Sequence, residues 1–442
     1  MERRNFLNAA SAGLAASLLA ACGGGDPTTS DARPVIDRSR PPQPVVTSTA
    51  VKARVIVIGG GMGGATVAKY LRLWGDAISV TLIERMPTYT SNIMSSMVLS
   101  GQRSMSSLTY RYDTLRTKYG INTVFGEVVA VDPVGVKVTM ADGTVLAADR
   151  IVMAPGITFD TVPGLGNSDK MPHAWQAGPQ TTLLANQLKA MTAGLNHNVV
   201  LTIPKTPYRC PPGPYERACL IADWLRVNKP GSKLIVLDAN PDIVTEKDNF
   251  MRAFLGIHGS VIEYHTNAEV LEVSPADMSL TTTSGNFSGD VVNMIPRQRA
   301  GALIATAQLN NDPITSGRFA AVDVLSYAST VSGANKVHII GDSSATTQPK
   351  AGHIANQEAK VCADAISRIL SGGSPDPAPV TNSACYSTIT MSQASWLTAV
   401  FQYEGGAMKP VLASSSASPD WNKDNFDEMG TWFKALMADS FA

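Results

Sequence analysis

The chain is poor in charge. Only 16% of its 442 residues are charged, and 36 basic side chains balance 36 acidic ones. A balanced chain offers no broad basic face, which argues against nucleic acid or an anionic membrane surface as its main partner. There is no internal repeat and no CxxCH motif, so the chain carries no c-type haem of its own. The weakly apolar stretch Ala9 to Ala21 is too short to span a bilayer, and no transmembrane segment is expected. No metal site is assigned. What remains, low charge with 36 glycines over this length, suits a compact α/β enzyme of two or three domains better than a disordered chain.

The first residues read as an address. In "RRNFLNAASAGLAASLLAAC", Arg3 and Arg4 precede Phe6-Leu7 and a small-residue apolar stretch. Residues 1–22 resemble a bacterial twin-arginine export signal, which implies the periplasm. Leu19-Ala20-Ala21-Cys22 also resembles a lipobox, with Cys22 as the lipid anchor; the alternative is a cleaved signal with an incidental cysteine. Residues 23–52, rich in Gly, Pro and Ser, read as a flexible linker. An oxidising compartment permits disulfides among the other four cysteines, Cys210, Cys219, Cys362 and Cys385. Three complete pairings, or one bridge with two spectators, are all open.

The strongest motif follows the linker. "ARVIVIGGGMGGATVAKYLRLWG" runs from a buried-strand pattern into Gly59-x-Gly61-x-x-Gly64 and then a helical period. The glycines allow a tight turn and close backbone approach, and the helix end faces a pyrophosphate. The next strand, "ISVTLIE", ends at Glu84, placed to accept hydrogen bonds from a ribose diol. Two later strand ends resemble those of two-dinucleotide flavoproteins and favour FAD over NAD: Ala154-Pro155-Gly156 after "RIVM", like their A-x-G turn, and Gly341-Asp342 after "VHII", which in those families places the aspartate on the ribityl chain. "PKAGHIANQEAK" then opens a helix aimed at the isoalloxazine ring, with Lys350 at its start as a further cofactor-binding residue. The predicted cofactor contacts are therefore Gly59, Gly61, Gly64, Glu84, Ala154, Gly156, Gly341, Asp342 and Lys350.

Between these pieces "HNVVLTI" and "SKLIVLDA" predict two buried strands joined by a helix over Pro212 to Arg226, capped by Gly213 with Pro214 in its first turn. A pyridine-nucleotide site would put glycines in the connecting turn. Here it reads "PKTPYRCPPG", whose prolines supply no N–H groups and crowd the space a pyrophosphate needs. Cys210 in that turn precedes a helix N-terminus and follows Arg209, both of which favour a thiolate; the plain alternative is a structural loop cysteine. Cys219 and Cys362 fall inside helical patterns and read as core residues.

With these residues on the page, the chain resembles the flavoprotein subunit of flavocytochrome c sulfide dehydrogenases, relatives of sulfide:quinone oxidoreductases and of glutathione-reductase-like flavoproteins. The resemblance rests on "GGGMGGATVAKYL", "MPHAWQAGPQT", "YRCPPGPYERA", "NMIPRQRAG", "HIIGD" and "SACYS". It implies an α/β fold of two Rossmann-like dinucleotide-binding domains of glutathione-reductase type, the first split in sequence. A C-terminal flavin-covering or interface region completes it. The boundaries would be 53–165 and 286–372 for the FAD domain, 166–285 for the degenerate central domain, and 373–442 for the C-terminal region. It also implies sulfide as substrate, a redox-active Cys210–Cys385 disulfide, and a c-type cytochrome partner. Glu216 becomes a candidate proton acceptor, or a purely structural helix-N-terminal carboxylate. The best-known family members link FAD through a cysteine shortly after the ribose-binding glutamate. Asn92 stands at that position, so FAD is expected to be held non-covalently. The tail aromatics Trp421, Trp432 and Phe433 look exposed and could serve a cytochrome interface, though packing on the chain's own core is the commoner fate of such residues. Two rivals remain: a sulfide:quinone-type enzyme, which the polar tail matches poorly, and a flavin-binding electron-transfer or assembly subunit without sulfur chemistry.

Overall fold

Residues 51–166 and 169–442 are described by a computed structural model. The twin-arginine stretch and Cys22 lie outside the described residues. Strand β1 (Ala53–Ile58) is almost wholly apolar, as a strand covered on both faces must be. It leads into helix α1 (Met62–Trp74), β2 (Ile78–Glu84), β3 (Asn122–Phe125) and β4 (Arg150–Met153). β1 pairs in parallel with both β2 and β4, and β2 pairs with β3.

The chain then leaves this sheet. Helix α2 (Pro179–Ala190), β5 (Asn198–Ile203), α3 (Gly213–Asn228), β6 (Lys233–Asp238), β7 (Ile262–His265) and β8 (Val291–Asn293) form a second unit. Its sheet is all parallel in the order β7-β6-β5-β8. Helix α3 begins at Gly213, one residue later than the sequence pattern suggests, because Pro212 takes the cap position and Pro214 the first turn, where its missing N–H costs nothing.

The chain returns with β9 (Val337–Ile339), which lies beside β4 in the first, 8-stranded sheet. The first dinucleotide-binding unit is thus split in sequence and continuous in space. Helix α4 (Gly352–Leu370) covers it, packed on α1. An antiparallel hairpin, β10 (Val380–Thr390) with β11 (Gln393–Glu404), is extended by β12 (Ala407–Pro410), and helix α5 (Lys423–Phe441) follows. The α/β fold with two Rossmann-like units is the expected class.

The tail aromatics do not form an exposed surface. Met429, Phe433, Leu436, Met437 and Phe441 are buried on one face of α5, which follows from their helical spacing. Burying a ring such as Phe433 contributes about 2–3 kcal/mol. Phe441 stacks on Tyr89 with ring centres 5.0 Å apart, and Lys69 on α1 donates to the carbonyl of Ala442 at 2.6 Å. Trp421 lies under the Arg252 guanidinium, and Trp432 turns inward to a cavity wall.

Candidate functional site

One cavity of about 840 Å³ joins the first nucleotide turn to the thiol-bearing loop. At its nucleotide end Gly59 has φ +95°, and a Cβ there would lie 2.4 Å from the Ala154 carbonyl oxygen. Only glycine satisfies both demands. A Cβ on Gly64 would lie 1.7 Å from the Gly59 carbonyl oxygen, so Gly64 packs α1 against the turn and is not on the cavity wall. Gly61 is on the wall, and a side chain there would enter the cavity. Glu84 also lines it, accepting from the Gly60 N–H at 2.6 Å.

Ala154, Gly156, Gly341 and Asp342 line the same space. The Asp342 Oδ1 atom is buried without a hydrogen-bond partner, and burial raises this carboxyl above its ordinary value. A buried orphan acceptor costs about 1–3 kcal/mol unless a donor reaches it, and a polyhydroxyl chain in the cavity supplies donors. The N-terminus of α4 opens on the cavity through Gly352 and His353, with no side-chain cap and no acidic residue in its first turn. It presents free N–H groups and positive dipole to an electron-rich ring. These features fit FAD.

Lys350 does otherwise than expected. It is not on the cavity wall; its ammonium donates to the Ser344 carbonyl at 2.6 Å and sits 3.8 Å from the centre of the Phe319 ring. The interior holds this cation because the carboxyls of Asp342 and Glu358 face it and a carbonyl and a ring face help solvate it. Its carbonyl accepts the Cys210 N–H at 2.6 Å, so its contribution to the site is to tether the thiol loop.

In the second unit the strand-end acid that would hold a nicotinamide nucleotide's ribose is Asp238. It is fully buried and accepts from the hydroxyls of Tyr215 at 2.7 Å and Tyr264 at 2.8 Å. Tyr208, also buried, lies in the turn ahead of α3. The space and the carboxylate of that site are both in use.

Cys210 and Cys385 both line the cavity, and so does Glu216. All four described cysteines are thiols, with Cys219 and Cys362 fully buried in the core. Cys210 has φ +57°, a left-handed conformation costing roughly 1–2 kcal/mol outside glycine. The turn is built around it: a Cβ on Gly213 would lie 2.9 Å from the Cys210 sulfur. The expected thiolate is not favoured. Arg209 and the Gly213 N–H do pull the Cys210 thiol down, but burial, Cys385 and Glu216 together push it up. Cys385 is raised to about 12, by burial first and then by Glu246. Desolvation outweighs the helix end because it acts on the whole charge and the dipole on a fraction of it.

Glu216 accepts from the Thr388 hydroxyl at 2.8 Å, and burial raises its carboxyl to about 7 despite that bond. It therefore exchanges its proton near neutrality, as a general base must. Its neighbour Arg217 is only 1% exposed. Its guanidinium donates to the carbonyls of His173 and Ala174 and to Asn293 Oδ1, lies 4.7 Å from the Trp175 ring, and is pulled down to about 9 by burial. Sequence reasoning missed Arg217, although a lone arginine inside an apolar helical pattern was a readable signal. It also missed His353, whose Nδ1 accepts the Ala384 N–H at 2.9 Å beside Cys385. Glu246, in the charged run "TEKDN", carried no signal.

Comparison with known proteins agrees with this geometry. Residues 53–193 match the family model for pyridine nucleotide-disulphide oxidoreductases. Residues 181–296 match that for the central part of the sulfide dehydrogenase (flavocytochrome c) flavoprotein chain, and 377–441 that for the flavocytochrome c sulphide dehydrogenase flavin-binding region. A flavoprotein chain of sulfide dehydrogenase from Chlorobaculum thiosulfatiphilum is 49% identical over 45 residues, 10% of this chain and 94% of that sequence. The chain belongs to the flavocytochrome c sulfide dehydrogenase flavoprotein family. Within this family of FAD oxidoreductases its cofactor is FAD, and the cavity described above fits it.

Other likenesses are more distant. The apoptosis-inducing factor homolog B of Dictyostelium discoideum is 34% identical over 108 residues, 24% of this chain, and only 26% of that protein's length is spanned. The sulfide:quinone oxidoreductase of Aquifex aeolicus superposes with a TM-score of 0.72 at 16% identity, over 88% of this chain and 91% of that one. The putidaredoxin reductase in its complex with putidaredoxin gives 0.62 at 15% identity, over 88% and 93%. These two show a shared fold. No described helix is long and apolar enough to cross a membrane.

Proposed function

We propose that this flavoprotein oxidises sulfide through a Cys210–Cys385 disulfide and passes the electrons by way of FAD to a c-type cytochrome in the periplasm. One observation carries the reading: the cavity whose walls hold the dinucleotide glycines and Asp342 also holds both cysteines and Glu216. Arg3-Arg4 and Cys22 support export, with Cys22 as the candidate lipid anchor.

Hydrosulfide attacks one sulfur of the bridge, the S–S bond breaks, and the other cysteine leaves as a thiolate. The new persulfide gives its proton to Glu216. A second hydrosulfide takes the outer sulfur as hydrodisulfide, leaving two thiolates. Loss of two electrons re-forms the bridge, so that two HS⁻ yield HSS⁻, one proton and two electrons. FAD, held by Gly59, Gly61 and Asp342, supplies the two-electron acceptor. Arg209 and Arg217 give the wall positive charge for the anionic sulfur species.

Anaerobic titration of the FAD-loaded protein with sulfide tests this. The 450 nm region should bleach with about one equivalent of electron pairs per flavin. A flavin that stays oxidised under excess sulfide, yet is reduced by dithionite, overturns the reading.

Asn92 bears on how the cofactor is held. Its Oδ1 accepts the Ala177 N–H at 2.7 Å, and an amide has no sulfur to bond a flavin methyl group. Acid precipitation should therefore release all yellow colour into the supernatant; colour retained in the pellet would mean a covalent link elsewhere.

A further inference from the structure

Glu246 is not on the cavity wall, yet the hairpin carrying Cys385 is built around it. Its Oε1 accepts from the Ser387 hydroxyl at 2.7 Å and its Oε2 from the Ser395 hydroxyl at 2.6 Å. Ser387 and Ser395 are direct cross-strand partners in β10 and β11, both fully buried. Cys385 lies two residues before Ser387, and Thr388, the next residue, holds Glu216. Two carboxyls from the second unit therefore clasp adjacent residues of the strand that bears the thiol. Glu246 itself is in the left-handed region, φ +47°, so the fold accepts strain to place it there.

The groups facing Glu246 are Glu216 and Cys219 from α3 and Cys385 from β10, while Lys247 and Asp248 beside it in sequence are exposed. Glu246 itself is off the cavity wall and half-buried. Burial raises its carboxyl and the two serines lower it. Its charge in turn raises Glu216 and Cys385.

We propose that Glu246 is the outlet for the proton that leaves the sulfur during turnover. The inference rests on the sulfide reading above. The persulfide S–H bond breaks, its electron pair stays on sulfur, and the proton goes to a Glu216 oxygen. It then moves to Glu246 and out to water, which leaves Glu216 ionised for the next cycle. With both carboxyls close together, a charge on one favours a proton on the other, so Glu246 ionises most readily once Glu216 is protonated.

The test uses the FAD-loaded full chain and Glu246→Gln, which keeps side-chain shape. In the first turnover with sulfide and oxidised cytochrome c in weak buffer, where the re-oxidised flavin gives back the proton its reduction took up, a pH-indicator dye should follow cytochrome reduction closely in the wild type. It should lag roughly tenfold or more in Glu246→Gln, and added formate should restore it. Ser395→Ala, which frees one Glu246 oxygen without touching Glu216, should give an intermediate lag and serves if the first variant folds poorly. Proton release in step with cytochrome reduction in both variants overturns the proposal. A sulfide-independent arm separates it from failure of the sulfide reading. In the reduced protein, alkylation of Cys385 followed against pH should titrate at lower pH in Glu246→Gln, because a facing negative charge is gone. An unmoved titration overturns the role of Glu246 even if sulfide proves not to be the substrate.

Discussion

Cys210→Ser should lose sulfide-driven flavin reduction by ~10³-fold or more, because no bridge remains for hydrosulfide to open. Cys385→Ser should lose as much, and the double variant no more than either single one, since the two sulfurs act as one bond. Each variant should still be reduced by dithionite and hold FAD, because the glycine turn, Glu84 and Asp342 are left in place on the cavity wall. Cys219→Ser is the control. Its thiol is fully buried in the core of the second unit, off the cavity wall, and should matter only for packing. Stopped-flow reduction by sulfide measures all four; a Cys210→Ser variant that bleaches at the wild-type rate removes the disulfide from the mechanism.

Glu216→Gln should slow sulfide-driven reduction by roughly 10²-fold and flatten its pH dependence. The Glu216 carboxyl titrates near 7, so the wild-type rate should climb as pH rises through neutrality and the base ionises. Sulfide also ionises near neutrality, but that limb is common to both proteins, and their ratio at each pH isolates the carboxyl. Stability supplies a second readout. The folded value of about 7 lies above the ordinary 4.5, so between these limits the native state holds more protons than the unfolded one. Stability from this group is then fully present below about 4.5 and is lost as pH rises towards 7 and just beyond. The Tm of the wild type should therefore fall more between pH 5 and 8 than that of Glu216→Gln. Equal slopes, with an unchanged rate ratio across the range, would leave Glu216 a structural carboxylate tied to Thr388.

The two predictions differ in what they ask of the fold. The cysteines need only meet, and the fold brings them to one wall from different units: Cys210 on the turn before α3, Cys385 on the hairpin laid over it. Glu216 needs to be desolvated as well, and that is the work of β10, which packs on α3 and supplies Thr388. A carboxylate at a helix N-terminus in water would titrate below its ordinary value; covered by a hairpin it moves the other way.

Much of this could be read along the chain, wherever the chemistry is local. The glycine spacing at 59, 61 and 64 requires a turn that only Cβ-free residues can make, and the apolar strands on either side require a buried parallel sheet. The prolines of "RCPPG" rule out a ring of N–H donors without reference to any neighbour. What depended on distance through space was decided by the tertiary structure. Lys350 looked like a cofactor contact and became a tether, because its ammonium found a carbonyl and a ring behind the wall. Cys210 looked like a thiolate from its own loop, and burial beneath other segments reversed the sign. Trp432 and Phe433 could have served a partner or the core, and α5 turns Phe433 into the core and Trp432 to the cavity wall. Glu246, set in a polar run, gained its meaning from two serines more than 140 residues away. Backbone conformation and donor supply are properties of a few adjacent residues. Desolvation and charge coupling depend on what the rest of the chain lays on top, and those were settled only on folding.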